Sequence, residues 1–156
     1  LDYTISYCDW YGVSCTIKCS VRELDLEFNN ITGKIPPEIS LLENLGAISF
    51  SMNNIHGGLH NLLNLTNLEL LILTNNPLNE KIPDNIDKLE KIISIFMGKT
   101  SIYGTIPHSI GNIKTLTTLN IYSNNLPGTL PQSIQNLNLV NFYGYDDPKT
   151  QILGEI

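Results

Sequence analysis

Charged side chains are scarce in this sequence. Lys, Arg, Asp and Glu together make up 15% of its 156 residues, where an average globular protein has roughly 25%. The few positive charges form no basic run and the net charge is −6, which excludes the electrostatic pattern of a nucleic-acid-binding protein. No apolar run reaches the roughly 18 residues of a membrane-spanning helix. The sequence also lacks a G-x-x-x-x-G-K-[ST] phosphate loop and a serine in a G-x-S-x-G setting, so we expect no enzymatic activity and no cofactor.

Leu, Ile and Asn are abundant instead of charged residues, and they recur periodically. The sequence has 23 Leu, 21 Ile and 19 Asn, which together with Gly and Pro account for 82 of its 156 residues. Asn29, Asn53, Asn76 and Asn124 recur at spacings of 24, 23 and 48, and Thr100 stands at the midpoint of the last spacing. The chain therefore contains five units in phase.

Each unit places the same residue types around its Asn or Thr. Apolar residues stand five and three positions before it, and two and six positions after it. Gly stands four positions after it, except at Glu80, and Pro stands seven positions after it, except at His60. Further apolar residues follow at every third position, as in Ile39, Leu42 and Leu45.

These positions predict a strand, a turn and a helical turn in every unit. The L-x-L alternation indicates a short strand with one buried face, and the three-residue spacing suits a 3₁₀ turn on the opposite side. Because the Asn amide both donates and accepts, the stacked Asn29, Asn53, Asn76 and Asn124 are expected to form an asparagine ladder that pairs backbone groups of neighbouring turns. Thr100 has no amide, so the ladder should be weakest there. One unit cannot bury its own apolar face, and we expect the units to stack into a solenoid.

The pattern L-x-x-L-x-L-x-x-N-x-L-x-G-x-I-P resembles the plant-type leucine-rich repeat over residues 21–156. This resemblance implies an α/β repeat fold, a right-handed solenoid with a parallel β-sheet on its concave face and 3₁₀ or irregular segments on its convex side. The G-x-I-P part implies further short strands on a second side. Proteins with this pattern include the ectodomains of receptor-like kinases and receptor-like proteins, and polygalacturonase-inhibitor-like proteins.

Residues 1–20 carry a second motif. The stretch from Cys8 to Cys15 reads C-x-W-x-G-V-x-C, which resembles the end of the disulfide-containing cap that precedes plant-type repeats. The resemblance implies a Cys8–Cys15 disulfide and a Trp10 side chain that covers the first unit. Three cysteines leave three pairings open, and Cys19 stays unassigned. A disulfide indicates an oxidising, secreted setting.

The last unit departs from the pattern. Tyr143 keeps the phase, but Ile152 and Gly154 return about two residues late, and residues 146–150 read as an insertion at the turn. No capping unit follows, although solenoids normally cap their apolar ends. We therefore expect residues 21–156 to be about five and a half repeats of a longer protein, without its C-terminal cap.

Outward strand positions of the concave face are the candidate ligand-binding residues, because proteins of this pattern bind partners mainly there. The face is acidic in the first unit and apolar or aromatic further along. Exposed apolar side chains on a rigid sheet are candidate contact anchors. The candidates are Asp25, Glu27, Phe28, Met52, Ile72, Phe96 and Tyr122.

Other patterns carry less chemistry. Asn30-Ile31-Thr32 and Asn64-Leu65-Thr66 are N-x-[ST] sequons, so Asn30 and Asn64 are candidate glycosylation sites. His56 and His60 have the spacing of helical metal ligands but flank a Gly-Gly bend, and we expect no metal site there. Asp146-Asp147 lacks the further spaced oxygens of a calcium loop, and Glu23, Asp25 and Glu27 are interpreted as an acidic surface strip rather than a catalytic carboxylate pair.

Two functions fit these features. The first is an extracellular, non-catalytic recognition module, secreted or at the cell surface, that binds a protein, peptide or cell-wall glycan through the concave face. The alternative is a structural subunit of an extracellular fibre or cell-wall assembly, built by contacts between copies of itself or with other chains. No nucleic-acid partner is expected, and no membrane span in this segment.

Overall fold

A stack of short parallel strands forms one side of the molecule. The computed structural model describes residues 6–144, so the predicted insertion at residues 146–150 and the late return of Ile152 and Gly154 lie outside the described residues. A seven-stranded sheet has the order β1-β2-β4-β6-β7-β8-β9, and a two-stranded sheet joins β3 to β5. The strands are β1 (Val13–Cys15), β2 (Val21–Asp25), β3 (Thr32–Gly33), β4 (Ala47–Ser49), β5 (Asn54–Ile55), β6 (Leu70–Ile72), β7 (Ser94–Phe96), β8 (Thr118–Asn120) and β9 (Asn141–Tyr143).

The register of the large sheet follows the repeat. From β2 to β9 all pairs are parallel, and residues at the same repeat position are direct neighbours. Successive side chains on a strand point to opposite faces. One column therefore faces the core throughout: Leu24, Ile48, Leu71, Ile95, Leu119 and Phe142.

Short 3₁₀ helices form the opposite side. Three of them begin directly after a proline. Pro36, Pro107 and Pro131 each occupy the residue before a helix, where a fixed φ and a missing N–H carry no penalty. The predicted solenoid, with a parallel sheet on one side and 3₁₀ turns on the other, is confirmed. The 3₁₀ helices are Tyr7–Asp9, Pro37–Leu41, Leu59–Leu62, Ile86–Lys88, His108–Asn112 and Gln132–Asn136.

The core lies between these two sides and continues from unit to unit. Ile48, Leu71, Ile95 and Leu119 are at most 1% exposed, because each lies between a neighbour above and a neighbour below. Leu24, the same position in the first unit, stays partly exposed. Stacking, rather than any single unit, buries the apolar residues.

The second side is less regular than the resemblance implies. Within residues 6–144, its strand pairing consists of β3 with β5 and one isolated bridge between Tyr103 and Asn125. The third unit contributes no strand to this second side, and Glu80 replaces Gly there. The backbone carbonyl of Glu80 still accepts a hydrogen bond from the Tyr103 N–H of the next unit at 3.1 Å. The turn of the third unit instead places Asn79 in the left-handed region, at a φ of 51°.

Asparagine amides join the units at the ends of the strands. The side-chain oxygen Oδ1 of Asn53 accepts hydrogen bonds from the backbone N–H groups of Asn29 and Ile31 at 3.1 and 2.9 Å. Its side-chain Nδ2 donates to the backbone carbonyls of Leu26 and Phe50 at 2.8 and 2.9 Å. Asn76 and Asn124 make equivalent bonds. Each amide thereby pairs backbone groups of its own unit and of the unit before it.

Asn29 and Thr100 bond differently from the other ladder residues. Asn29 is exposed, and its Nδ2 donates to the Glu27 carbonyl at 2.8 Å; β1 runs antiparallel to β2 and brings no preceding turn for Asn29 to pair. The Thr100 hydroxyl donates to the Met97 carbonyl at 2.8 Å. Because Thr100 offers no amide to the unit before it, the Leu78 N–H turns back to the Asn76 carbonyl at 2.9 Å.

A disulfide hairpin lies at the N-terminal end of the stack. Cys8 and Cys15 are joined by a disulfide with 5.5 Å between their Cα atoms, and Cys19 is an exposed free thiol. The Trp10 side chain covers the first unit less than the resemblance implies, because it is 60% exposed. An apolar cavity of about 770 Å³ opens between the hairpin and the first unit, lined in part by Trp10, Leu24 and Leu42.

Candidate ligand-binding face

The open sheet face is the side of the parallel sheet that faces away from the core, and it corresponds to the predicted concave face. Alternation along the strands places one outward residue of each strand in a row across the sheet. A second row, two residues earlier on each strand, runs beside it. The first row is Asp25, Ser49, Ile72, Phe96, Asn120 and Tyr143, and the second is Glu23, Ala47, Leu70, Ser94, Thr118 and Asn141.

Carboxylates form the end of the open sheet face at the first unit. Glu23 and Asp25 lie on β2, and Glu27 follows two residues later. The Ser49 hydroxyl of the next unit donates to the Glu27 carboxylate, and Asp25 Oδ1 accepts from the Glu27 backbone N–H at 3.3 Å. These contacts hold two carboxylates in fixed positions at one end of the face.

Apolar and aromatic side chains occupy the centre of the face. Ile72 and Phe96 are direct neighbours in the first row, and both are half-buried. The Tyr122 ring lies over Gly98, where a Cβ would come within 2.1 Å of ring atom Cε1. Lys99 Nζ lies 5.7 Å from the centroid of that ring, within reach of a cation–π interaction. The centre is therefore an apolar shelf built by adjacent units.

Phe28 and Met52 lie at the rim rather than on the strands. Both follow the ends of their strands and have left-handed backbone conformations, with φ of 55° and 57°. Asn75, Lys99 and Ser123 occupy the same position in later units, with φ between 51° and 57°. The turn that directs each ladder side chain toward the core therefore places the preceding residue on the surface. As a result, the Phe28 side chain is 71% exposed and the Met52 side chain is 43% exposed.

Sequence reasoning missed two residues of this face. Leu70 and Tyr143 belong to the two rows by register, and the same alternation that found Ile72 would have found both. Ser51 Oγ and Asn120 Oδ1 are buried atoms without a hydrogen-bond partner in residues 6–144. No signal in the sequence indicates that these two polar groups lack partners.

Both sequons are accessible. Asn30 and Thr32 of the first, and Asn64 and Thr66 of the second, are exposed. Asn64 lies beyond the 3₁₀ helix Leu59–Leu62, away from the sheet. Neither residue belongs to the asparagine ladder, so a glycan at either position would disturb no backbone pairing.

Groups of metal-ligating side chains and membrane-spanning helices are absent from the part of the chain that the structure describes. No three His, Cys, Asp or Glu side chains of residues 6–144 come together in a way that could hold a metal ion, and His56 and His60 are exposed. Within the same residues no helix has the length and apolar character needed to cross a membrane. The open sheet face is the most extensive grouping of apolar, aromatic and acidic side chains that the strands align.

Comparison with known proteins agrees with this architecture. Residues 20–42, 67–89 and 115–137 match the family described as Leucine Rich Repeat. The chain has a leucine-rich-repeat solenoid fold. The three matches fall on the first, third and fifth repeats, and the leucine-rich repeats between them contain the same strand and 3₁₀ elements.

Several similar leucine-rich-repeat proteins are plant receptors. An inactive leucine-rich repeat receptor-like serine/threonine-protein kinase of Arabidopsis thaliana is 32% identical over 83 residues, which are 53% of this chain. This chain spans 13% of the length of that relative. A similar solved structure is the leucine-rich-repeat ectodomain of the membrane receptor kinase GASSHO1/SCHENGEN3 from Arabidopsis thaliana, in complex with CASPARIAN STRIP INTEGRITY FACTOR 2. The two chains superpose with a TM-score of 0.84 and are 33% identical. The match covers 92% of this chain and 18% of that chain.

A second similar structure contains a peptide ligand. The leucine-rich-repeat ectodomain of the Arabidopsis receptor kinase HAESA, in complex with an N-terminally extended IDA peptide hormone, superposes with a TM-score of 0.68 and 25% identity. The match covers 90% of this chain and 28% of that chain. The structural similarity thus extends over most of the present chain but over a small part of each receptor.

Proposed function

We propose that this chain is an extracellular, non-catalytic recognition module that binds a peptide ligand across its open sheet face. The observation that carries the proposal is the apolar shelf of Ile72, Phe96 and Tyr122, aligned by the register of successive repeats. Half-exposed aromatic and aliphatic side chains on a rigid surface are the residues that contribute most at binding interfaces. A rigid sheet also keeps the entropy cost of binding low, because the anchors are ordered beforehand.

The similar proteins support the ligand class and the location. The HAESA ectodomain binds a peptide hormone, and the sequence relative is a receptor-like kinase. The Cys8–Cys15 disulfide fits an oxidising compartment outside the cytosol. Asn30 and Asn64 are then glycosylation sites, and protein secreted from plant cells should lose the mass of two N-glycans when it is treated with a glycosidase.

Peptide selection tests the proposal. A random peptide library displayed on yeast is sorted against the purified chain, and the enriched pool is then measured against two variants. Phe96→Asp places a charge on the apolar shelf. Leu41→Asp is the matched control, because Leu41 is an exposed apolar residue on the 3₁₀ side, at the end of Pro37–Leu41. We expect Phe96→Asp to abolish binding of the pool and Leu41→Asp to preserve it.

Two results would contradict the proposal. Binding that survives Phe96→Asp but is lost in Leu41→Asp would move the ligand site to the other side of the solenoid. No enrichment of any peptide, combined with sedimentation of the wild-type chain as an oligomer that Phe96→Asp dissociates, would favour the structural subunit.

A further inference from the structure

The open sheet face is electrostatically asymmetric along its length. Glu23, Asp25 and Glu27 lie at the first repeat, and the apolar shelf of Ile72 and Phe96 lies at the third and fourth. From Asp25 to Phe96 the row crosses three strand steps, β2 to β4 to β6 to β7. Neighbouring strands are about 4.8 Å apart, so the carboxylates and the shelf are separated by roughly 14 Å.

An extended peptide advances about 3.4 Å per residue, so roughly four residues span that distance. We infer that the ligand of this face is an extended peptide that crosses the strands, with a basic side chain at Asp25 and Glu27 and an apolar side chain about four residues away at Phe96. This inference rests on the proposed function and adds the charge and the spacing that the peptide must have.

The carboxylates are arranged to receive a cation. The Ser49 hydroxyl holds one oxygen of Glu27, and the backbone N–H of Glu27 holds Asp25 Oδ1, so each carboxylate keeps one oxygen for a ligand. Arg22, the nearest cation in sequence, is engaged elsewhere, because its guanidinium crosses Gly46 to reach Glu69 Oε1 at 3.3 Å. A basic side chain of the ligand would therefore meet carboxylates whose positions are already fixed.

A second, independent feature lies at the same two places. Ser51, which is 6% exposed, has a buried hydroxyl without a partner, and it follows Ser49 by two residues on the unit beside Glu27. Asn120 Oδ1, also buried without a partner, neighbours Phe96 in the first row. Buried polar groups without partners are rare in folded proteins. The inferred position of the peptide brings its main-chain N–H groups near Ser51 Oγ and Asn120 Oδ1, both of which can accept a hydrogen bond.

Synthetic peptide pools test charge and spacing separately. The probes are two fluorescein-labelled peptide pools, Arg-x-x-x-Phe and Glu-x-x-x-Phe, with Ser, Gly and Asn mixed at each x. Each pool is made in both chain directions. A third pool, Arg-x-Phe, has a shorter spacing between the Arg and Phe residues. Binding to the purified chain is followed by fluorescence anisotropy. We expect the Arg-x-x-x-Phe pool to bind about tenfold more tightly than the other two, the size expected for a charge-assisted hydrogen bond between fixed partners.

Two double variants locate the preference. Asp25→Asn with Glu27→Gln should remove the advantage of Arg over Glu while retaining the contribution of Phe. Glu43→Gln with Glu90→Gln removes the same formal charge from exposed positions outside the open sheet face and should leave the preference intact. The Arg advantage should also shrink at high salt, because exposed charge pairs are screened.

The outcomes separate this inference from the proposed function. If library peptides bind in a Phe96-dependent manner but the Arg and Glu pools bind equally, the inference is wrong and the proposed function stands. If the preference for Arg persists in Asp25→Asn with Glu27→Gln, the cation site is elsewhere and the inference is also wrong. If neither the library nor any pool binds, both the inference and the proposed function fail.

Discussion

At the scale of single residues, one amide per repeat decides whether neighbouring turns can be buried together. Asn76 is 1% exposed and pairs the Ile55 N–H and the carbonyls of Phe50 and Leu73 at 2.9–3.0 Å. Thr100 is fully buried but bonds to the Met97 carbonyl and to the next ladder residue, Asn124, rather than to the repeat before it. The prediction of a weaker ladder at Thr100 therefore has a structural counterpart in the Leu78 N–H that turns back within its own repeat.

Replacing the amide should be costly where it is buried. Asn76→Ala leaves three backbone groups without partners in the interior, each at about 1–3 kcal/mol, and we expect a loss of roughly 3–5 kcal/mol in the free energy of unfolding. Asn29→Ala is the matched control: it removes the same amide from an exposed site and should change stability by less than about 0.5 kcal/mol. Urea unfolding followed by circular dichroism measures the free energy of unfolding of both variants. Equal losses of stability in the two variants would show that the hydrogen bonds of the Asn76 amide do not stabilise the protein.

At the scale of elements, a proline directly precedes three of the 3₁₀ helices, and the second repeat shows how such a helix begins without one. His60 stands at the proline position, and the helix begins one residue before it, at Leu59. The left-handed Gly58, with a φ of 100°, and the Glu80 carboxylate make this start possible. Glu80 accepts the N–H groups of Leu59 and Gly58 at 2.7 and 3.2 Å. Two departures from the repeat, His60 and Glu80, therefore belong to one local arrangement.

Removing this carboxylate should destabilise the second repeat. Glu80→Ala takes the acceptor from two N–H groups at a helix start, and we expect a loss of about 1–2 kcal/mol, as for other helix-capping side chains. Glu90→Ala, at an exposed position of the same chain, should cost less than about 0.5 kcal/mol. Thermal unfolding of the two variants checks this, and hydrogen exchange should show faster exchange at Leu59 in the Glu80 variant alone. Unchanged exchange at Leu59 would contradict the capping role.

At the scale of the whole molecule, burial depends on having a neighbour on both sides. Leu24 and Leu71 have the same residue type at the same repeat position, and the sheet register places them two strands apart in one column. Leu71 is 1% exposed, while Leu24 adjoins the cavity under the disulfide hairpin and is partly exposed. The first repeat therefore buries this position less completely than the third repeat does.

This pair gives a direct measurement of stacking. Leu71→Ala should cost about 3–5 kcal/mol, because it creates a cavity between two packed neighbours. Leu24→Ala should cost roughly 1–2 kcal/mol, because less of its surface leaves water on folding. Urea denaturation of both variants decides the matter. A loss in Leu24→Ala as large as that in Leu71→Ala would mean that the hairpin covers the first repeat fully in solution.

The sequence by itself determined the repeat, its length and the role of most positions. Alternating aliphatics, a ladder Asn and the I-P pair are local requirements, since strand, turn and 3₁₀ start each depend on residues a few positions apart. This is why the strands, the 3₁₀ side and the outward positions Ile72 and Phe96 could be predicted without coordinates. The parallel arrangement of the strands was implied by the resemblance to the plant-type leucine-rich repeat.

Only the tertiary structure decided what the repeats do to one another. Asn29 and Trp10 are exposed because of how the cap meets the first repeat. Two further features are contacts between neighbouring repeats: the Glu80 carboxylate at the start of the Leu59 helix, and the Tyr122 ring over Gly98. The two contacts join residues 21 and 24 positions apart in sequence, in repeats whose strands lie about 4.8 Å apart, so no local pattern encodes them. The open sheet face is of the same kind, because its rows exist only once separate strands lie side by side.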